Sequence, residues 1–401
     1  MKKVCLLFVS IFCWQSFSLN IQQLVDSAKP FDIVSVPYGY YKEGEILIDK
    51  PLILKGIDFP VIDGQGKGSV IRIVAPYVTV DGFKIVNSGY SEITEYAGVK
   101  IENVERCIIY KNEFENNIYS VFVSKSKDCL ISDNVIRANS KYEASSGNGV
   151  HLWNCRNINV KNNTIYGHRD GIYIEFTTDS VISQNVSQNN IRYGLHFMYS
   201  HRNRYMKNTF LNNQTGVAVM YSKNIYMIEN NFQKSWGRTA YGLLLKDISD
   251  SYIGFNNFKG NTVGIVFDAA SRNVFVNNSI KNNGWALNIL GNSESNIFKK
   301  NIFIANFFDA MTNAGKSTNI FWGNFWATCK GYDLNYDGIS DVPYRPMKIF
   351  SRWVGQHPEL TVLLGSSVVE FLEVAERVFP VLTPATFMDA APLMGDKKWI
   401  R

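Results

Sequence analysis

Glycine recurs through the middle of this chain at a nearly constant interval, and that interval dictates the fold. Gly149, Gly171, Gly194, Gly216, Gly242 and Gly264 each open a short apolar run, at steps of 22, 23, 22, 26 and 22 residues. A second series begins at Asn157, Ser180, Asn203, Asn224, Ser251, Asn273, Asn296 and Asn319 and advances by 23, 23, 21, 27, 22, 23 and 23. Two series that drift together mark one repeated structural unit, interrupted by small insertions at residues 141–146 and 235–239. Each unit holds two or three short β-branched runs separated by Gly, Asn and Ser, with no helical periodicity. Short strands at a fixed non-helical period predict an all-β chain, a single-stranded right-handed parallel β-helix in which each strand pairs with its equivalent one coil on.

The repeat also predicts the interior. Gly and Asn at the turns suit left-handed backbone geometry, where other side chains are strained. Asn162, Asn185, Asn208, Asn230, Asn256, Asn278, Asn301 and Asn324 recur about once per coil and are expected to form an internal amide ladder. Two residues beyond most of them stands a large apolar side chain, Phe210, Phe232, Phe258, Ile280, Phe303 or Trp326, predicted to stack as a core column. Residues 78–85, 107–112 and 129–134 supply strands for earlier coils. Cys107 and Cys129 occupy equivalent places in successive coils. They read as stacked small core residues, with a disulfide or metal pair as the alternative.

Both ends carry their own signals. Lys2 and Lys3, the apolar run at residues 4–12 and the small residues Ser16 and Ser18 predict an export signal over residues 1–18. That run is too short to span a bilayer, which needs about 20 residues. Residues 20–28 read as a short amphipathic helix covering the first coil, since an open sheet edge would recruit other chains. The β-helix is expected to occupy 19–330, and an Asp/Gly loop region at 331–357 to close it. Residues 358–380 read as one amphipathic helix with Leu360, Leu363, Leu364, Val368, Phe371, Leu372, Ala375 and Phe379 on one side. A Pro-containing tail follows to residue 401. This C-terminal segment serves either as a cap on the solenoid or as a docking element for a partner.

Lys and Arg total 41 against 35 Asp and Glu, a net charge of +6 that falls to +4 without Lys2 and Lys3. So mild a balance does not predict a nucleic-acid binder. Once Cys5 and Cys13 leave with the signal, Cys107, Cys129, Cys155 and Cys329 are far apart and form no CxxC pair, which argues against zinc and thioredoxin-like chemistry.

Strand alternation sorts the glycine runs into two faces. One and three residues after each glycine stand Val150 and Leu152, Ile172 and Ile174, Leu195 and Phe197, Val217 and Val219, Leu243 and Leu245, Ile265 and Phe267, all apolar and therefore core. Two and four residues after it, facing outward, are His151 and Trp153, Tyr173 and Glu175, His196 and Met198, Ala218 and Met220, Leu244 and Lys246, Val266 and Asp268. Met198 should lie one strand from Met220, with His196 beside it and His201 close by in the following turn. Thioether plus imidazole is a soft donor set that favours Cu(I) over zinc or magnesium. The alternative is scattered surface residues, since methionine is an adaptable contact residue. Met206 and Met227 form a similar adjacent-coil pair whose neighbours suggest core packing. His168 and His357 lack such partners.

Asp333, Asn335, Asp337, Gly338, Ile339 and Asp341 fall at positions 1, 3, 5, 6, 7 and 9 of a calcium-type loop, but Tyr344 stands where the bidentate carboxylate belongs. A tight turn without metal is the competing reading. A sugar-cleaving β-helix would need two carboxylates roughly 5–9.5 Å apart. The exposed stripe offers Glu175 and Asp268, four coils and ~19 Å apart by strand spacing. No catalytic residues emerge, and a non-enzyme is expected. A carbohydrate-binding or uronate-polymer lyase or epimerase β-helix is the alternative.

Residues 50–56 (KPLILKG), 194–200 (GLHFMYS) with Asn203, 216–222 (GVAVMYS) and 337–345 (DGISDVPYR) resemble the NosD family of periplasmic β-helix proteins over essentially the whole exported chain. The resemblance implies a periplasmic accessory role in maturation of nitrous oxide reductase. The implied partners are an ABC transporter with membrane subunit NosY and ATPase NosF, the copper lipoprotein NosL, and the reductase NosZ with its copper–sulfide centre. It further implies that His196, Met198 and Met220 serve copper transfer or partner docking.

Overall fold

The computed structural model describes residues 20–395. The expected export signal, residues 1–18, lies outside the described residues. Among the described residues three parallel sheets run the length of the stack. The first gathers 13 strands from Ile33–Val36 to Ile320–Trp322, the second 13 from Tyr40–Lys42 to Phe325–Trp326, and the third 12 from Ile46–Ile48 to Phe308–Met311. Sheet neighbours are one coil apart in sequence, in parallel register: Leu195 lies between Ile172 and Val217. The period thus produced the parallel β-helix it predicted, and the glycine runs form the third sheet.

The corner between the first and second sheets explains the count. The residue entering it takes left-handed geometry: Gln184 (φ 58°), Lys207 (φ 58°), Glu229 (φ 57°), Phe255 (φ 58°) and Asn277 (φ 55°) in successive coils. The next residue is a buried asparagine. Asn185 donates from its main-chain N and from Nδ2 to Asn208 Oδ1, both at 3.0 Å, and Nδ2 also reaches the Val160 carbonyl at 2.9 Å. The same pattern runs from Asn112 and Asn134 through to Asn324. One expected member is corrected. Asn163, not Asn162, fills the rung, because Asn162 is the exposed left-handed corner residue (φ 54°). Two further ladders went unforeseen, one through Asn273, Asn296 and Asn319 and one through Asn261, Asn283 and Asn306. All three corners are therefore tied by amides as well as by strands.

Inside, Phe210, Phe232, Phe258, Ile280, Phe303 and Trp326 are buried in the expected column. Phe232 stacks on Phe258 at 4.5 Å and Phe303 on Trp326 at 3.9 Å between ring centroids. Met206 and Met227 are not paired: Met227 is a buried core residue opposite Tyr205, while Met206 lies opposite Ile228. Cys107, Cys129 and Cys155 are buried free thiols. The hydrogen bond to Cys129, together with burial, raises the Cys107 thiol far above its ordinary range, and burial pushes Cys155 up to about 12. All three should stay unmodified by a maleimide in the native protein and react once it is unfolded, as read by mass spectrometry.

The N-terminal cap forms as predicted. Helix α1 (Ile21–Ser27) is capped by the Asn20 side chain, which accepts from Gln23 N, and it buries Ile21 and Val25 over the first coil. The C-terminal segment departs from the single helix expected. A helix at Ile349–Gln356 (α2) precedes a 3-10 stretch at Pro358–Leu363, and Gly365 (φ 78°) separates that from a second helix at Ser367–Val378 (α3). The break resets the helical phase. Val369 and Glu376 face inward, while Val368, Phe371 and Phe379 are 54 %, 71 % and 59 % exposed. Glu376 Oε1 accepts from Ile349 N at 2.9 Å, tying α3 to the start of α2. The tail then returns to the stack, where Asp389 bridges Phe321 and Leu393 bridges Phe325 in the parallel sense.

Candidate metal site

Along the third sheet the sorting of faces holds on its inner side: Leu195, Phe197, Val217 and Val219 are all buried. On the outer side Met198 and Met220 are direct strand partners, Glu175 pairs with Met198, and Lys246 follows Met220. Both methionines are half-buried. The Tyr173 hydroxyl donates to Met198 Sδ at 3.4 Å. His196 stands two residues before Met198 on the same strand, but it does not face solvent as alternation suggested. It is 5 % exposed, held between the rings of Tyr193 (4.6 Å) and Tyr173 (4.8 Å). These rings and a buried ion pair roof the histidine. Arg192 donates to both oxygens of Asp170 at 2.8 and 2.5 Å, and His196 Nδ1 lies 3.3 Å from Asp170 Oδ2. Burial alone would raise the Asp170 carboxyl, but the bonds from Arg192 and His196 outweigh it and hold the group below its ordinary range.

Sequence reasoning missed this surround. Asp170, Arg192 and Tyr193 sit just before the glycine runs, in positions without a face until the corner geometry is known. It also missed a ring column on the outer surface, with Phe176 and Tyr199 exposed and Tyr221 half-buried. Phe176, Tyr199 and Tyr221 directly follow Glu175, Met198 and Met220 and stack at 5.3 and 4.9 Å, all three with positive φ. His201, read as close by in the following turn, has one ring nitrogen engaged: its Nδ1 accepts from Lys223 N at 3.2 Å. His151, two strands before His196, is 8 % exposed and burial depresses its pKa to about 3. It lines a groove of about 640 Å³ with Arg72, Lys100, Trp153 and Glu175, which runs along the same face up to the Met198 neighbour.

The loop read as calcium-like is closed largely by its own backbone. Asp333 accepts from Asp337 N and Gly338 N, Asn335 Oδ1 from Asp337 N, Asp337 Oδ1 from Ile339 N, and Asp341 Oδ2 from Leu334 N. Among the described residues no three His, Cys, Asp or Glu side chains gather as a metal-ligand set. A site built partly on thioethers is of a different kind.

Comparison with known proteins bears on what this surface is for. The family model described as "Periplasmic copper-binding protein (NosD)" matches residues 74–145 and 140–331. A protein from Stutzerimonas stutzeri, named as a probable ABC transporter binding protein NosD, is 29 % identical over 382 residues, covering 90 % of this chain and 86 % of its own. A protein of the same name from Pseudomonas aeruginosa is 29 % identical over 381 residues, covering 90 % of this chain and 87 % of its own. Among solved structures, a family 28 exopolygalacturonase from Yersinia enterocolitica superposes with a TM-score of 0.58 at 11 % identity over 75 % of this chain and 74 % of that one, a likeness of fold alone. No helix among the described residues is long and apolar enough to cross a membrane. With a matched span from residue 74 to 331 and relatives aligned over nine-tenths of its length, the chain belongs to the NosD family.

Proposed function

We propose that this protein is a periplasmic accessory factor in nitrous oxide reductase maturation that gives Cu(I) a transient seat on Met198 and Met220, with His196 contributing. The observation that carries the reading is the direct pairing of the two methionines on adjacent rungs of the outer wall. Thioethers bind Cu(I) while leaving harder divalent ions alone, and two half-exposed sulfurs with one imidazole suit cargo that must leave again. The family description as copper-binding and the relatives' name as transporter-binding support the same reading. Copper would arrive from NosL and pass to apo NosZ, with the protein held on the transporter of NosY and NosF. The exposed apolar side of α3, with Val368, Phe371 and Phe379, suits contact with the membrane subunit. Catalysis on sugar has less support. Glu175 and Asp268 are four strands apart, ~19 Å, and of the groove carboxylates Glu95, Glu102 and Glu175 the last two are three strands apart, ~14 Å. Both separations exceed the roughly 5–9.5 Å of glycosidase pairs.

Replacing Met198 and Met220 together by isoleucine should leave the thermal midpoint within about 2 °C, because both side chains are half-buried and isoleucine suits a strand. Cu(I) affinity, measured by competition with a chromophoric chelator, should fall at least ~10-fold with loss of soft ligands. The copper content of NosZ from the variant strain should fall with it. Wild-type copper content would refute the reading.

A further inference from the structure

His196 has the two ends of its ring in opposite situations. Nδ1 lies 3.3 Å from the Asp170 carboxylate, while Nε2 is buried and has no hydrogen-bond partner. A buried polar atom left unpaired costs about 1–3 kcal/mol, so each one calls for an explanation. The surround fixes the ring's state. Asp170 has no exposed surface and carries the Arg192 guanidinium on both oxygens, so it is an ionised acceptor with no proton to give. The proton between the two groups therefore resides on Nδ1, and in the neutral ring the unpartnered Nε2 is then the nitrogen that carries the lone pair. Tyr173 and Tyr193 pack against the ring and oppose its rotation. On the following rung the strand partner of His196 is Ala218, a fully buried residue two positions before Met220 on the same strand. His151 in the same column shares the unpartnered Nε2 but not the carboxylate: its Nδ1 meets the Asn148 amide, and the strand partners of neighbouring Trp153 are Ser124 and Glu175, not a second thioether.

We infer that Asp170 is a positioning residue that holds His196 as the Nδ1-protonated tautomer, its Nε2 lone pair free to complete a Cu(I) seat with the neighbouring thioethers. The inference rests on the copper reading above and adds to it the group that makes the imidazole a ligand. Carboxylate–imidazole pairs of this kind orient metal-binding histidines and raise their basicity, and removing the outer partner typically weakens binding 10–100-fold.

The test begins on metal-free wild-type protein with ¹⁵N-labelled histidine. Long-range ¹H–¹⁵N correlation, assigned with a His196→Gln variant, should show Nδ1 protonated and Nε2 bare; the opposite tautomer would overturn the inference. Asp170→Asn should bind Cu(I) 10–100-fold more weakly, and X-ray absorption should show its sulfur shell kept and its nitrogen shell lost. Unchanged affinity with the nitrogen shell intact would overturn the inference while leaving the thioether reading standing. Wild-type protein that binds no Cu(I) through sulfur would remove both. If Asp170→Asn fails to fold, the wild-type tautomer decides alone.

Discussion

Replacing Asp389 by alanine is expected to unravel the C-terminal end of the stack. Asp389 occupies the place where the next ladder asparagine would stand, and its Oδ2 accepts from Asn324 N at 3.0 Å and from Asn324 Nδ2 at 2.9 Å, as Asn324 Oδ1 does for Asn301. It also takes Trp326 Nε1 at 3.0 Å, Gly323 N at 3.1 Å and Ala391 N at 3.2 Å. An asparagine here would bring its own Nδ2, which would need a further acceptor beyond the last coil. A carboxylate accepts and has nothing to hand on, so it ends the series. Truncation removes a buried charge-assisted acceptor from five donors at once, for which about 3–5 kcal/mol is expected. In a solenoid each coil contacts only its neighbours, so the loss should appear as a shallower denaturant transition and earlier proteolysis of the last coils. Asp389→Asn should fall between the two. A wild-type midpoint and slope for Asp389→Ala would mean that the tail does not close the stack.

Adding one methyl group at Gly264 should be almost as damaging. A Cβ there would sit 2.6 Å from the backbone oxygen of Ala286 on the next coil, and 2.7 Å separates the equivalent position at Gly242 from the Gly264 oxygen. Neither side of these contacts is a flexible side chain. Relieving one means parting rungs that strand hydrogen bonds and three amide ladders hold together, so Gly264→Ala should cost about 3 kcal/mol, at the upper end of overpacking penalties. Gly315, with nothing within 4 Å of an added Cβ, supplies the control and should tolerate alanine without loss. Equal thermal midpoints for the two variants would show that the glycine period has another cause.

These two residues also mark what could be read from the chain alone. The glycine spacing is a local code repeated on every coil, so period, strand order and core column were legible. Asp389 lies 65 residues beyond the Asn324 it caps, and no local pattern marks such a partner. Ambiguity within a doublet moved one rung, since either member of Asn162–Asn163 fits the count and only the backbone decides which turns inward. The preference of left-handed corners for Gly and Asn was a weak guide, because Lys207, Gln184 and Phe255 occupy the same corner in other coils. Alternation placed Met198 and Met220 together correctly because it governs neighbouring strands. It failed on the exposure of His196 because residues on the outer side of a sheet can be roofed by their own chain, here Arg192 and Tyr193. The C-terminal phase was lost at Gly365, where a single glycine rotates the following helix and leaves Phe371 outside.

The methionines stand on the seventh and eighth strands of a twelve-strand sheet whose last member, Phe308–Met311, lies beside the helical segment. At ~4.8 Å per step, four steps separate Met220 and five separate Met198 from the twelfth strand, so the pair sits ~19 and ~24 Å above that end. The solenoid is thereby a ruler graduated in coils. Deleting or inserting one repeat would shift the soft pair by a single graduation and leave its chemistry alone, so reach and reactivity are independently adjustable in this architecture.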